Sequence, residues 1–119
     1  MSKEMIEEAL KHATDTKACV IGDGVLDQTA PLFAQWFPGE TRAAVIVDPR
    51  TWSAAGEKVA EMLKARGVAV VTYILEPDGR IFHADYHYAA EVREFLKAEI
   101  ATGGALVPVA VGSGVVNDL

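Results

Sequence analysis

The sequence predicts an α/β fold in which helices cover both faces of a mostly parallel sheet. Segments with the apolar spacing of helices alternate along the chain with short β-branched runs, which is the order typical of this fold class. The strand-like runs are continuously apolar, as expected for strands buried on both faces. With 119 residues the chain is long enough for one domain and too short for two ordinary ones. We therefore expect one Rossmann-like domain over residues 1–119.

The first half of the chain predicts two helices and two strands. An amphipathic helix comes first, and residues 18–21 form a short buried strand that includes Cys19. The second helix starts near Thr29, because Pro31 does not fit a helix interior. Residues 43–47 form a strand buried on both faces. The residues predicted to face inward from the two helices are Met5, Ile6, Ala9, Leu10 and Ala13, then Leu26, Ala30, Phe33 and Phe37.

The second half predicts two more helices and two more strands. The third helix spans residues 53–66 and a strand spans residues 68–75. The fourth helix spans residues 87–101, and the last strand spans residues 105–111. Their inward-facing residues are predicted to be Ala55, Val59, Met62, Leu63 and Arg66, then Val92, Phe95, Leu96 and Ile100. A final helix would have only about one turn before the sequence ends, so we expect a piece of a longer protein.

Charge and composition exclude several classes of protein. The net charge is -6 and the pI is about 4.9, without the clustered Lys and Arg that a nucleic-acid surface needs. The single cysteine excludes an internal disulfide and is compatible with a reducing compartment. The N-terminus lacks the apolar core of a signal peptide, and the longest apolar runs are too short to span a membrane. We expect a cytoplasmic protein without nucleic-acid partners.

The turn Gly112-Ser113-Gly114 is the strongest candidate for ligand binding. It lies between a predicted strand and a predicted helix, where free backbone N–H groups and the helix dipole favour a phosphate. Glycines allow a pyrophosphate to approach the backbone closely. A tight connection without a ligand is the alternative. An earlier turn, Gly22-Asp23-Gly24, has the same form, but Asp27 and Asn117 occupy the third glycine position of G-x-G-x-x-G, so neither turn completes the dinucleotide fingerprint.

Asp48 is the second candidate. It follows the strand predicted at residues 43–47, and ligands of open α/β sheets bind at the carboxyl ends of strands. An acidic residue there accepts hydrogen bonds from ribose hydroxyls, whereas a plain turn residue ahead of Pro49 is the alternative. Arg50 is compatible with a 2′-phosphate, so both NAD and NADP remain open.

The remaining candidates point to structure rather than chemistry. His83, Asp85 and His87 have an alternating spacing that metal ligands can adopt, but Asp85 also precedes a predicted helix as a ready N-cap, and we predict no metal site in this chain. Ser113 lacks the G-x-S-x-G elbow of a nucleophile, because position 111 is Val111.

Several segments together resemble a known family, the sn-glycerol-1-phosphate dehydrogenases. The resemblance is carried by residues 20–26, 45–48, 55–59 and 109–119, and residues 83–85 are similar to the bacterial members. It covers nearly all of the chain, and its most specific part is GSG-x-x-ND near the end. This family belongs to the superfamily of glycerol dehydrogenases, iron-containing alcohol dehydrogenases and dehydroquinate synthases.

The resemblance implies a two-domain enzyme that interconverts dihydroxyacetone phosphate and sn-glycerol 1-phosphate in phospholipid biosynthesis. The N-terminal α/β domain binds NAD or NADP, and a C-terminal helical domain holds zinc, nickel or iron. This metal acts as a Lewis acid on the carbonyl. We expect this chain to be the N-terminal domain, the C-terminal domain to be absent from it, and the protein to be a homo-oligomer that takes a small phosphate substrate. The fragment alone should be inactive.

The resemblance also assigns roles to individual residues. The Gly112–Gly114 turn would hold the pyrophosphate, and Asp48 would meet the adenosine ribose. Val115 replaces a Thr or Ser of the family, which removes one expected hydrogen bond. The residues assigned to cofactor binding are Asp48, Gly112, Ser113, Gly114, Val115 and Asp118, and those assigned to the neighbourhood of the nicotinamide and substrate are Asn117 and Asp118.

Three alternatives remain open from the sequence. The pair Val115-Val116 is also found in dehydroquinate synthases, although that family has glycine where this chain has Asn117. Another polyol dehydrogenase is the second alternative. The third is a non-enzymatic, flavodoxin-like binding module.

Overall fold

The computed structural model describes residues 3–12, 16, 18–37, 42–76 and 86–112, which belong to two compact units. The first unit spans Met1–Pro38 and the second spans Gly39–Leu119. The second unit contains the described sheet, and it carries the candidate site.

The first unit contains helix α1 (Lys3–His12), a 3-10 helix (Val25–Gln28) and helix α2 (Thr29–Trp36). The predicted start of the second helix at Thr29 is confirmed. Of the residues predicted to face inward, Ile6, Ala30 and Phe33 are buried. Met5 and Phe37 are not buried, with exposed fractions of 60% and 42%. Phe37 follows α2, and its ring centroid lies 5.3 Å from that of Phe33.

The strand predicted at residues 18–21 is wrong. These residues have no regular secondary structure and are exposed, including Cys19, which was predicted to be buried. An apolar run has strand propensity, but a strand also needs a neighbour for its N–H and C=O groups. The turn that follows is used for its conformation, because Gly24 has a φ of 71° and caps the 3-10 helix.

The described residues of the second unit form three parallel strands, β1 (Arg42–Val47), β2 (Ala69–Ile74) and β3 (Val107–Ala110), in the order β2-β1-β3. The central strand β1 is buried along nearly its whole length, whereas the flanking strands are partly exposed. Pro108 fits the flank: its neighbours Val107 and Val109 aim their N–H groups at β1, so the missing N–H of Pro108 lies on the outer edge. The predicted Rossmann-like α/β class is confirmed.

Helical segments lie between these strands in the described part of the chain. Between β1 and β2 the chain forms α3 (Pro49–Thr51), a π-helical turn (Trp52–Gly56) and α4 (Glu57–Ala65) without interruption. Between β2 and β3 lies α5 (Tyr86–Gly103). The third predicted helix therefore begins four residues earlier than expected. It ends as predicted, with Gly67 at a φ of 84° and its N–H donating to the carbonyl of Lys64.

The two helical connections cover opposite faces of β1. Ala44 and Ile46 belong to a core cluster that includes Tyr88 and Val92 of α5. Val47 points to the other face, where Gly56 lies against it. Successive side chains of a strand alternate between faces, so this arrangement follows directly from the continuous apolar run of β1. Ile100, predicted to face inward from α5, is 50% exposed.

Gly56 sets how closely its helical turn approaches the sheet. A Cβ at this position would lie 2.7 Å from Cγ1 of Val47 and 3.2 Å from Cε3 of Trp52. The backbone of Gly56 has ordinary helical angles, so the glycine is required by space and not by conformation. The close approach holds the segment that begins at Asp48 against β1.

Arg42 joins the start of β1 to the end of α5. Its guanidinium is paired with the Glu99 carboxylate at 2.9 Å and donates to the carbonyls of Glu99 and Gly104 at 3.2 Å each. These carbonyls belong to the C-terminal turn of α5, where a cation is favoured by the helix dipole. A side chain at Gly103 would overlap the Arg42 guanidinium. The contact fixes β1 relative to the helix that leads into β3.

Candidate functional site

The order of the strands creates a switch point between β1 and β3. From β1 the chain crosses to β2 on one side, and then returns past β1 to place β3 on the other side. All three strands are parallel, so their carboxyl ends lie at the same edge of the sheet. In open α/β sheets, ligands bind outside the carboxyl ends of the strands at such a switch point. The crevice between the ends of β1 and β3 is therefore the candidate site.

Two residues predicted from the sequence lie at this crevice. The register pairs Ile46 with Ala110, and continued by two residues it places Asp48 opposite Gly112. The pairing reaches as far as the N–H of Val111, which donates to the carbonyl of Ile46 at 3.0 Å. Asp48 has extended backbone angles at the end of β1, and Gly112 is exposed. The fold thus brings together two positions that are 64 residues apart, as their numbers in the sequence show.

Asp48 is also the N-cap of the helical segment that follows β1. Its Oδ1 accepts a hydrogen bond from the N–H of Thr51 at 2.8 Å, and its own N–H donates to Oγ1 of Thr51 at 3.0 Å. This reciprocal pair is a capping box, and Pro49 occupies the first helical position where its missing N–H costs nothing. The cap fixes the Asp48 backbone and one of its two carboxylate oxygens.

The capped helix start is poorly suited to a phosphate. Pro49 has no N–H, the N–H of Thr51 already donates to the Asp48 carboxylate, and that carboxylate carries a negative charge. An anion at this helix start would be repelled. A neutral ligand group that donates hydrogen bonds, such as a hydroxyl, fits the Asp48 carboxylate better.

The other predicted site residues lie outside the described residues: Ser113, Gly114, Val115, Asn117 and Asp118, together with His83 and Asp85. His87 belongs to α5, but its side chain is not described. The helix begins at Tyr86, directly after Asp85, the residue predicted to be its N-cap. Of the predicted cofactor residues, the structure therefore locates Asp48 and Gly112.

Within the described part of the chain, no group of three His, Cys, Asp or Glu side chains is arranged to hold a metal ion. The same part of the chain has no helix that is both long and apolar enough to cross a membrane.

Two further cavities are lined by described residues. An open groove of about 630 Å³ is lined by Tyr73 of β2 and by Glu91 and Phe95 of α5, and a cavity of about 300 Å³ lies in the first unit beside Cys19. Burial, with a smaller contribution from the Glu91 carboxylate, raises the pKa of Tyr73. Its phenol donates to Glu91 Oε2 at 3.2 Å and therefore remains protonated at neutral pH. Neither cavity is lined by Asp48 or Gly112.

Neither the contacts of Thr51 nor the early start of the helix was predicted from the sequence. The signal was present in Asp48-Pro49-Arg50-Thr51, where an N-cap residue, a proline at the first helical position and a hydroxyl three residues after the cap form a capping pattern. The π-helical turn at Trp52–Gly56 has no comparable signal in the sequence.

The comparison with protein families matches most of the chain. Residues 20–119 match the family of iron-containing alcohol dehydrogenases. No curated protein and no solved structure shows significant similarity to the chain. Enzymes of this family are oxidoreductases that typically use NAD(P) and a metal ion. The match includes β1, β2, β3 and both residues of the crevice, so the chain belongs to the iron-containing alcohol dehydrogenase family.

Proposed function

We propose that this chain is the NAD(P)-binding portion of a metal-dependent dehydrogenase that interconverts dihydroxyacetone phosphate and sn-glycerol 1-phosphate. The observation that carries the proposal is the position of Asp48 and Gly112, which follow the carboxyl ends of the neighbouring parallel strands β1 and β3 at the switch point of the sheet. Family membership supports an oxidoreductase, and the resemblance of residues 109–119 to the GSG-x-x-ND segment supports this particular substrate.

The two sides of the crevice bind different parts of the cofactor in this proposal. Asp48 accepts hydrogen bonds from the adenosine ribose, because its carboxylate at the helix start repels an anionic ligand group and accepts hydrogen bonds from a hydroxyl. The turn that begins at Gly112 receives the pyrophosphate, for which glycine allows close backbone approach. Asn117 and Asp118 follow near the nicotinamide and the substrate. Bound NAD(P) supplies the hydride acceptor or donor.

In this proposal the metal that the family uses is held by a C-terminal helical domain, as the resemblance to the glycerol-1-phosphate dehydrogenases implies. The described residues offer no group of three ligands for it, and no segment of the chain resembles the domain that holds it in the glycerol-1-phosphate dehydrogenases. No step of the reaction is therefore assigned to a metal on this chain. The residues proposed here bind and orient the cofactor.

A second candidate is favoured by one observation. The order β2-β1-β3 is also the start of the flavodoxin-like sheet order, in which a ligand binds at the same β1/β3 switch point. A non-enzymatic binding module of that type would use the same crevice. Other members of the superfamily, a dehydroquinate synthase-like enzyme or another polyol dehydrogenase, would share the cofactor and differ in the substrate.

Activity measurements separate these candidates. The purified 119-residue chain should bind NADH but should not oxidise it when dihydroxyacetone phosphate is added, because the proposal places the metal ligands outside these 119 residues. The natural gene should continue after Leu119 into a helical segment with spaced histidines, and the product of the full reading frame should reduce dihydroxyacetone phosphate in preference to dihydroxyacetone. Turnover by the 119-residue chain, or a stop codon directly after Leu119, would contradict the proposal.

A further inference from the structure

We propose that Thr51 is a positioning residue, whose hydroxyl holds the backbone of Asp48 and thereby places the Asp48 carboxylate to receive the adenosine ribose. The inference rests on the proposed function, because it concerns the same crevice. It adds a residue to which neither the sequence pattern nor the family resemblance gave a role. Three hydrogen bonds link Thr51 to Asp48, and each contacts a different group of the aspartate.

The first two of these hydrogen bonds fix the carboxylate and the amide of Asp48. The N–H of Thr51 donates to Oδ1 at 2.8 Å, and Oγ1 of Thr51 accepts from the Asp48 N–H at 3.0 Å. The third links Oγ1 of Thr51 to the Asp48 carbonyl at 3.3 Å. One carboxylate oxygen is thus held at the helix start. The rotation of the Asp48 side chain is restricted before any ligand arrives, which lowers the cost of ordering it on binding.

The hydroxyl of Thr51 also replaces the next acceptor of the ladder between β1 and β3. In a parallel ladder with this register, the bond after Val111 N–H to Ile46 C=O would run from the Asp48 N–H to the Val111 carbonyl. The Asp48 N–H donates to the Thr51 hydroxyl instead. The β1/β3 pairing therefore ends at the bond from Val111 N–H to Ile46 C=O, and Asp48 is held by the helix start instead. In our proposal the ligand lies beyond this end of the ladder.

Two substitutions separate the hydroxyl from the size of the side chain. Thr51→Val keeps the shape and the backbone N–H that caps Oδ1, but it removes the acceptor of the Asp48 N–H. Thr51→Ser keeps the hydroxyl and loses only a methyl group. The two probes are ADP and 2′-deoxy-ADP, which share the adenine and the pyrophosphate and differ in one ribose hydroxyl. Dissociation constants are measured by calorimetry, and urea unfolding reports any change in stability.

The expected result is a loss of discrimination between the probes. The unmodified chain and Thr51→Ser should bind ADP about tenfold more tightly than 2′-deoxy-ADP, as a hydroxyl donating to a carboxylate predicts. Thr51→Val should bind both with nearly equal affinity. If the role of Thr51 were purely structural, Thr51→Val would weaken the binding of both probes by the same factor, and the ratio of their dissociation constants would not change. That outcome would overturn the inference and leave the proposed function intact. Failure of the unmodified chain to bind either probe would refute both.

Discussion

Replacing Gly56 by valine should lower the free energy of unfolding by about 3 kcal/mol, the cost typical of overfilling a packed interior. A Cβ at this position would lie 2.7 Å from Cγ1 of Val47, and Val47 is fully buried in the central strand. The added atoms would push the π-helical turn away from β1, because the fully buried Val47 side chain leaves no room for them. Urea unfolding followed by circular dichroism measures the change.

A double-mutant cycle with Val47 provides the control. Gly56→Ala alone should destabilise the chain by about 1 kcal/mol, since the overlap outweighs the gain in helix propensity. In the background Val47→Ala, which removes the overlapping Cγ1, the same Gly56→Ala change should be neutral or stabilising. Equal effects of Gly56→Ala in both backgrounds would show that the close approach to β1 does not explain the glycine.

Replacing Asp48 by serine should weaken NADH binding about 30-fold, the equivalent of about 2 kcal/mol for hydrogen bonds to a charged acceptor. Serine caps helices as well as aspartate does, so this substitution removes the negative charge and keeps the N-cap. The same change should reduce the difference in affinity between NADH and NADPH, because the carboxylate that repels the 2′-phosphate of NADPH is lost. Fluorescence titration of both cofactors gives the two affinities.

Asp48→Ala is the matched comparison for this experiment. It removes both the charge and the cap, so it should lower stability by about 1 kcal/mol while weakening NADH binding to the same extent as Asp48→Ser. If Asp48→Ser bound NADH as tightly as the unmodified chain and only Asp48→Ala were affected, the role of Asp48 would be that of a helix cap alone.

The central strand shows why most of the sheet could be predicted from the sequence. The sequence of β1 is a continuous apolar run after Arg42, and the strand is buried on both faces between the two helical connections. The same reasoning failed at residues 18–21, where an equally apolar run is exposed and has no strand structure. Local composition indicates that a segment is able to pair. Whether it finds a neighbour is decided by the rest of the chain.

The candidate site was predictable in part, for a related reason. Asp48 and Gly112 were identified from their positions after predicted strands, but only the strand order shows that these two strands are neighbours in the sheet. The role of Thr51 depends on the backbone N–H of Asp48. This N–H would continue the β1/β3 ladder, but it donates to the Thr51 hydroxyl instead. Such competition between two acceptors for one donor is determined by geometry, and the residue types alone do not reveal it.

The most direct test of nucleotide binding at this crevice is a fluorescence titration with NADH of three proteins: the unmodified chain, Gly112→Val and Gly114→Val. Circular dichroism first establishes that all three are folded. Nucleotide binding at this crevice predicts saturable NADH binding by the unmodified chain and at least a tenfold weaker NADH affinity for both variants, because a side chain in the turn holds the pyrophosphate away from the backbone. Equal affinities in the three proteins, or no binding by the unmodified chain, would contradict it.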